Sequence, residues 1–292
     1  MSIIDALVAP WQYPFMVRAL AASSIVGIVC SIVGSYVVLR GMAFLGDAIA
    51  HSILPGVAIG VLVSGRGDRR ALFWWALGTA IAVALGTGWI GRRARLREDT
   101  AVGIVFAGMF ALGIALISTV RGFAIDLVHL LFGNVLAVST RDLVLMAAFS
   151  ALALLAVVAF YKEFLVVSFD PTLARTLRLP TSFYSYTLLV LIAITAVVAL
   201  QAVGVGLMLA MLITPPTTAF LLTRRLPSMM ATAAGIGIVA GVAGLYLSFY
   251  TAVAAGAAIV LVAVGLFLAV LLIAPRGRRS ALRVRGGKAR RA

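Results

Sequence analysis

Apolar runs of about twenty residues, separated by short polar joints, recur along the whole of this chain. That repetition constrains the fold more than any other feature. A run of that length crosses the hydrocarbon of a bilayer only as a helix, because no water is there to satisfy an unpaired backbone. The runs fall at 16–39, 42–64, 71–91, 100–120, 142–161, 184–203, 204–222, 229–249 and 257–274. A further stretch within 121–140 is too short to cross and too apolar for a free loop, and reads as a re-entrant or interfacial segment. The count is eight or nine. Apolar residues make up 63% of the chain and charged residues 11%, against roughly 25% charged in a soluble domain. The mean hydropathy is +1.16. The expected fold is an all-α, polytopic membrane protein, with residues 1–274 as the transmembrane domain and 275–292 as a disordered basic tail.

The net charge of +15 would suit a nucleic-acid partner if it formed one surface. It does not. The basic residues cluster at 92–97, in 162–178, at Arg224–Arg225 and in the tail, which has eight basic residues and no acid. With nine spans these clusters share one side, the cytoplasm by the positive-inside rule, so the partner they imply is the lipid bilayer. Arg66, Arg69 and Arg70 dissent, falling on the other side. Trp11 and Tyr13 read as interfacial anchors ahead of the first span, and the N-terminus lacks the basic and apolar regions of a secretory signal. Cys30 is the only cysteine, so no intrachain disulfide or cysteine metal cluster forms. HExxH, GxSxG and Walker A motifs are absent, and two histidines leave no room for a triad, so an enzyme is not expected.

Within the second run, residues 40–56 read RGMAFLGDAIAHSILPG. Asp47 and His51 are four apart, which on a helix stacks them on one face. An ionisable residue at membrane depth is expensive and points to function. Three roles fit the pair: a hydrogen-bonded lock between two helices, a proton relay, or half of a divalent-metal site. For the last, a two-fold homodimer with this helix at its axis would supply two carboxylates and two imidazoles, suited to manganese, iron or zinc.

Two other stretches stand out. In SFDPTLARTLRLP (168–180), Asp170 and Pro171 form an N-cap and first-turn proline, predicting a short helix over 172–178 that Leu179–Pro180 stops. It is either a docking element for a cytoplasmic partner or an ordinary connecting helix. In GVGLMLAMLITPPTTAF (204–220), Gly204, Gly206 and Pro215–Pro216 break a span, as a kinked packing helix or as part of a translocation path. His129, three residues from Asp126, is a weaker candidate for a second metal site.

These stretches, with REDTAVGIVFAG (97–108), HLLFGNVLAVSTRDL (129–143), QAVGVGLMLAMLITPPTTAFLLTRR (201–225) and GAAIVL (256–261), resemble in order the signatures of the membrane-spanning permease of ATP-binding-cassette importers for manganese, zinc or iron. The resemblance implies a homodimer, two cytoplasmic ATPase subunits that bind the ATP, an extracytoplasmic metal-binding protein, and a place in the bacterial plasma (inner) membrane. It implies no permanently bound cofactor, the metal being cargo. It carries the membrane metal site to Asp47 and His51, the coupling helix to Asp170, Pro171 and Ala174, and a gating proline to Pro215. This chain departs from the family in having Arg178 where glycine is usual and Pro216 where a small residue is usual. It also lacks an acid and a proline before Gly256 in YTAVAAGAAIVL. A permease for a metal chelate or cobalamin, and an ATP-independent cation carrier using the pair as a proton relay, are the alternatives.

Overall fold

Prolines and glycines punctuate the chain in the computed structural model, which describes residues 8–64, 69–119 and 135–273. The tail, the joint at 65–68, the greater part of the expected re-entrant segment, Asp126 and His129 lie outside those residues. After a 3-10 turn at Ala9–Gln12, Pro14 opens α1 (Pro14–Arg40), where its missing N–H costs nothing. Gly41 ends α1 at φ +71, with its N–H and that of Met42 closing back on the carbonyls of Val38 and Val37. There follow α2 (Leu45–Ser52), α3 (Leu54–Ser64), α4 (Arg69–Arg93) and α5 (Glu98–Ser118), then a 3-10 turn at Val135–Ala137. The rest is α6 (Thr140–Ala159), α7 (Tyr161–Phe169), α8 (Pro171–Thr176), α9 (Thr181–Val203), α10 (Val205–Leu222), α11 (Leu226–Thr251) and α12 (Ala255–Ile273).

Among the described residues nine helical stretches are long and apolar enough to cross a membrane, the higher of the two expected counts. The second, Leu45–Ser64, is α2 and α3 together. The break between them comes at Ile53, just before Pro55 and Gly56, where a kink is expected. The helix α6 starts two residues earlier than hydropathy suggests. Ser139 caps it by accepting from the Asp142 N–H, and Asp142 accepts in return from the Ser139 N–H, so polar residues belong to the first turn.

Burial separates the helices into an inner and an outer set. In the Leu45–Ser64 stretch 72% of the most apolar 18-residue window is buried, against 17% in each of α5 and α12, which places those two at the periphery of the chain. Helices in lipid gain little from the hydrophobic effect on association, so close approach through small residues has to hold them. The small residues of α1 do this: Ala22, Ser23, Ser31 and Ser35 are buried. A Cβ on Gly27 would lie 2.9 Å from the Gly237 carbonyl, which fixes how near α1 runs to α11.

The two ends of the bundle differ in chemistry. At one end Trp11 donates to the Tyr246 hydroxyl at 2.8 Å, and Tyr13 meets Phe249, as expected of interfacial anchors. At the other, Arg40, Arg92, the α7–α8 segment and the start of α9 converge. Arg70 opens α4 and Arg92 closes it, so the two stand at opposite ends of a helix about 37 Å long.

A Cβ on Gly34 would overlap the Leu212 carbonyl oxygen on α10. Gly34→Ala is therefore expected to force α1 from α10 and to destabilise the protein by about 1–3 kcal/mol, read as a lower melting temperature of the detergent-solubilised protein. Gly78→Ala, in open space, is the matched control.

Candidate functional site

The helix α2 is short because both of its ends are dictated. Gly41 stops the preceding helix, and Pro55 has no N–H for the carbonyl of His51 four residues earlier. Between these limits Leu45, Gly46, Ala48, Ile49, Ala50 and Ser52 are buried, while Asp47 and His51 point to the remaining face. Each of these two side chains is about 30% exposed, and His51 Nε2 lies 3.6 Å from Asp47 Oδ1. That is beyond hydrogen-bonding distance. The hydrogen bond on which the locking role depends is thus not formed between the two side chains. His51 Nδ1 is buried and has no hydrogen-bond partner.

The wall around the imidazole is aromatic. Phe106 and Phe110 of α5 meet the His51 ring edge-on at centroid distances of 6.3 and 5.8 Å, and Phe44 packs edge-on against Phe106. Such a wall gives the polar pair no competing donor or acceptor. These phenylalanines carry no signal in a hydropathy pattern, since they are indistinguishable from lipid-facing residues until α5 is docked. Among the described residues no third histidine, cysteine or carboxylate joins the pair. One chain thus offers one oxygen and one nitrogen donor on an open face, fewer than the four ligands a zinc-type ion takes.

The broken helix supports the same spot from behind. A Cβ on Gly46 would lie 2.7 Å from Leu212 Cδ2, so α2 rests on α10 next to Asp47. Pro215 and Pro216 are buried inside α10 and remove the N–H partners of the Met211 and Leu212 carbonyls. Gly204 joins α9 to α10 at φ +80, ψ 171, a backbone conformation that only glycine adopts freely. Gly206 is different: it is exposed and a Cβ there would meet nothing, so within this chain no backbone approaches it.

The segment around α8 lies at the end of the bundle that gathers Arg40 and Arg92. Asp170 Oδ1 accepts from the N–H groups of Thr172 and Leu173 at 2.9 and 3.0 Å, the cap expected from sequence. The helix starts at Pro171 and ends at Thr176, two residues short of the expected Arg178. Arg178 instead takes the left-handed conformation at φ +54, with its N–H on the Arg175 carbonyl and that of Leu179 on the Ala174 carbonyl. Glycine is the residue that occupies this position without strain, which accounts for the glycine usual there in the resembling family. Ala174 is fully buried and faces the protein, whereas Leu173 and Leu177 are 48% and 56% exposed. The exposed face of this short helix is therefore formed by the two leucines, while Asp170 and Ala174 set its shape.

Together these features define a polytopic transport protein of the permease type, with an Asp–His pair on an open face and a capped helix presented at one end. The ABC 3 transport family model matches residues 12–274. The chain belongs to that family. It is 45% identical over 265 residues to the manganese transport system membrane protein MntC of Listeria monocytogenes, covering 91% of this chain and 92% of the relative. It is 41% identical to the chelated iron transport system membrane protein YfeD of Yersinia pestis, covering 86% and 82%. The solved structure of PsaBC from Streptococcus pneumoniae in complex with Fab superposes with a TM-score of 0.80 at 38% identity, covering 96% of this chain and 99% of the other.

Two outcomes follow for the α8 segment. Arg178→Gly is expected to stabilise the protein by about 1 kcal/mol by removing left-handed strain, read as a higher melting temperature. Replacing Leu173 and Leu177 together with alanine is expected to leave that temperature unchanged and to weaken any complex with a cytoplasmic partner, read by co-purification.

Proposed function

We propose that this chain is the membrane-spanning subunit of an importer for a divalent transition metal, manganese, zinc or iron, working as a homodimer in the bacterial plasma membrane. The observation that carries this is the Asp47–His51 pair, two unbonded ligands on an open face with no third ligand beside them among the described residues. A second copy related by a two-fold axis would bring the set to two carboxylates and two imidazoles. Carboxylate with imidazole suits the harder and middle members of the divalent series, and a soft thiolate is missing because Cys30 is buried in α1.

In this proposal an extracytoplasmic metal-binding protein delivers the ion, and two cytoplasmic subunits bind and hydrolyse the ATP. This chain itself catalyses nothing. The ion passes between the two copies at Asp47 and His51, beside the aromatic wall. Rearrangement of the ATPase dimer reaches the membrane through α8, docked by Leu173 and Leu177 and held in shape by the Asp170 cap. The break at Gly204 and the proline pair in α10 allow that helix to bend against α2, opening the ion's path inward. Two ligands per copy also limit affinity, and an ion held too tightly would not leave. Residues 1–274 make up the transmembrane domain and the remaining basic residues a cytoplasmic tail.

The name of the Yersinia relative speaks of chelated iron, and uptake of free ion against a chelate by reconstituted complex separates that cargo from the bare metal. Asp47→Asn and His51→Ala are each expected to abolish metal uptake into vesicles while the ATPase still co-purifies. Normal uptake by both variants would remove the site.

A further inference from the structure

The α8 end of the bundle contains a cleft of about 950 Å3, bounded by α1, α4, α5, α7, α8 and α9, that the transport reading does not use. Arg40, Arg92, Arg95 and Arg175 line it, and Glu98 is the one carboxylate among its described lining residues. Arg40 is the innermost, with a side chain only 6% exposed. Its Nε donates to Ser168 Oγ and its Nη2 to Ser185 Oγ, both at 3.3 Å, so two faces of the guanidinium fork are held by neutral hydroxyls. Its Nη1 has no hydrogen-bond partner and stands 3.6 Å from the half-exposed Glu98 carboxylate. Arg92 is oriented by donation to the carbonyls of Thr181 and Ser182 and by the Tyr186 ring, 4.6 Å from the guanidinium. Glu98 supplies Arg40 with a counter-charge but no hydrogen bond, so the cleft sets four guanidiniums against one carboxylate among its described lining residues, with a buried donor still unbonded at its floor.

The shape narrows the choice of anion. A smaller pocket of about 150 Å3 continues from the cleft between α4 and α9, sharing Arg92, Glu98 and Ser185 with it and reaching Leu189. At its side Thr87 Oγ1 is buried without a partner. Trp89 on α4 and Phe183 on α9 are 62% and 54% exposed, as aromatic side chains are at headgroup depth. Planar arginine forks match phosphate oxygens in pairs, and basic pockets between membrane helices take phospholipid headgroups.

We propose that this cleft binds a phosphate group, with Arg40 and Arg92 as the inner contacts and Arg95 and Arg175 closing over it. The pocket below it favours an anionic phospholipid as the source, with its glycerol region beside Thr87. Because Arg175 lies on α8 and Arg40 on α1, an occupant would hold the exposed short helix against the bundle.

The test uses the full-length protein purified with its partner subunits. It is equilibrated with vesicles of equal parts phosphatidylglycerol and phosphatidylcholine, re-extracted, and its retained lipid counted by native mass spectrometry. A parallel sample in lipid-free detergent receives inorganic phosphate, followed by phosphorus NMR line broadening. The wild type is expected to retain phosphatidylglycerol over phosphatidylcholine. Arg95→Gln with Arg175→Gln, two side chains at the mouth, should cut that retention by about tenfold, while Arg224→Gln with Arg225→Gln, outside the cleft, should not. Arg40→Gln should abolish it; if that variant does not fold, the mouth pair decides. Binding of inorganic phosphate that the mouth pair weakens, without lipid preference, supports the site with a soluble source. Equal lipid retention by wild type and mouth pair, together with no phosphate binding, overturns the proposal.

Discussion

A backbone carbonyl without a donor costs several kcal/mol inside hydrocarbon, and much of this structure answers to that cost. Three carbonyls lose their regular helical donor because a proline stands four residues on: His51 before Pro55, Met211 before Pro215 and Leu212 before Pro216. All three belong to inner helices. The Leu212 carbonyl faces the Gly34 backbone of α1, where only a glycine leaves room. Irregular backbone survives at membrane depth only where protein covers it, so the interior of the bundle is also where it can bend.

The same seam supports the Asp47–His51 pair. Leu212 touches α1 at Gly34 and α2 at Gly46, one residue from Asp47. On the far side of α2 the Phe106–Phe110 pair of α5 bounds His51. Gly113, further along α5, lets Leu54 and Pro55 press against that helix. A shift of α10 or α5 is therefore felt directly at Asp47 and His51, with no long relay between. Close packing without voids makes such contacts respond as units.

Much of the local geometry of the candidate site was legible in the chain, and for physical reasons. Asp47 and His51 declare themselves because charge at membrane depth is rare, and a spacing of four places them on one face whatever the surroundings. The Asp170–Pro171 cap is local chemistry, decided by a side chain and the two N–H groups that follow it. Other features were hidden. Ala174 looks like a contact residue until the burial of its methyl group is seen. Arg178 looks like an added charge until its φ of +54 identifies the residue itself as the helix terminator. Arg40 and Glu98, 58 positions apart by number, read as parts of separate motifs until α1 and α5 meet.

Length and apolar content alone determined that the chain is a bundle of membrane helices, because a bilayer allows an apolar run of that size almost no other conformation. Local spacing determined where ligands, caps and breaks would fall, since each depends on neighbours within about four residues. Tertiary structure decided what each of them faces. Among the described residues, the nearly uniform apolar helices carry little amphipathic pattern to say which side turns inward. That choice is made by contacts between distant glycines, prolines and aromatic rings, which meet only once the helices have packed.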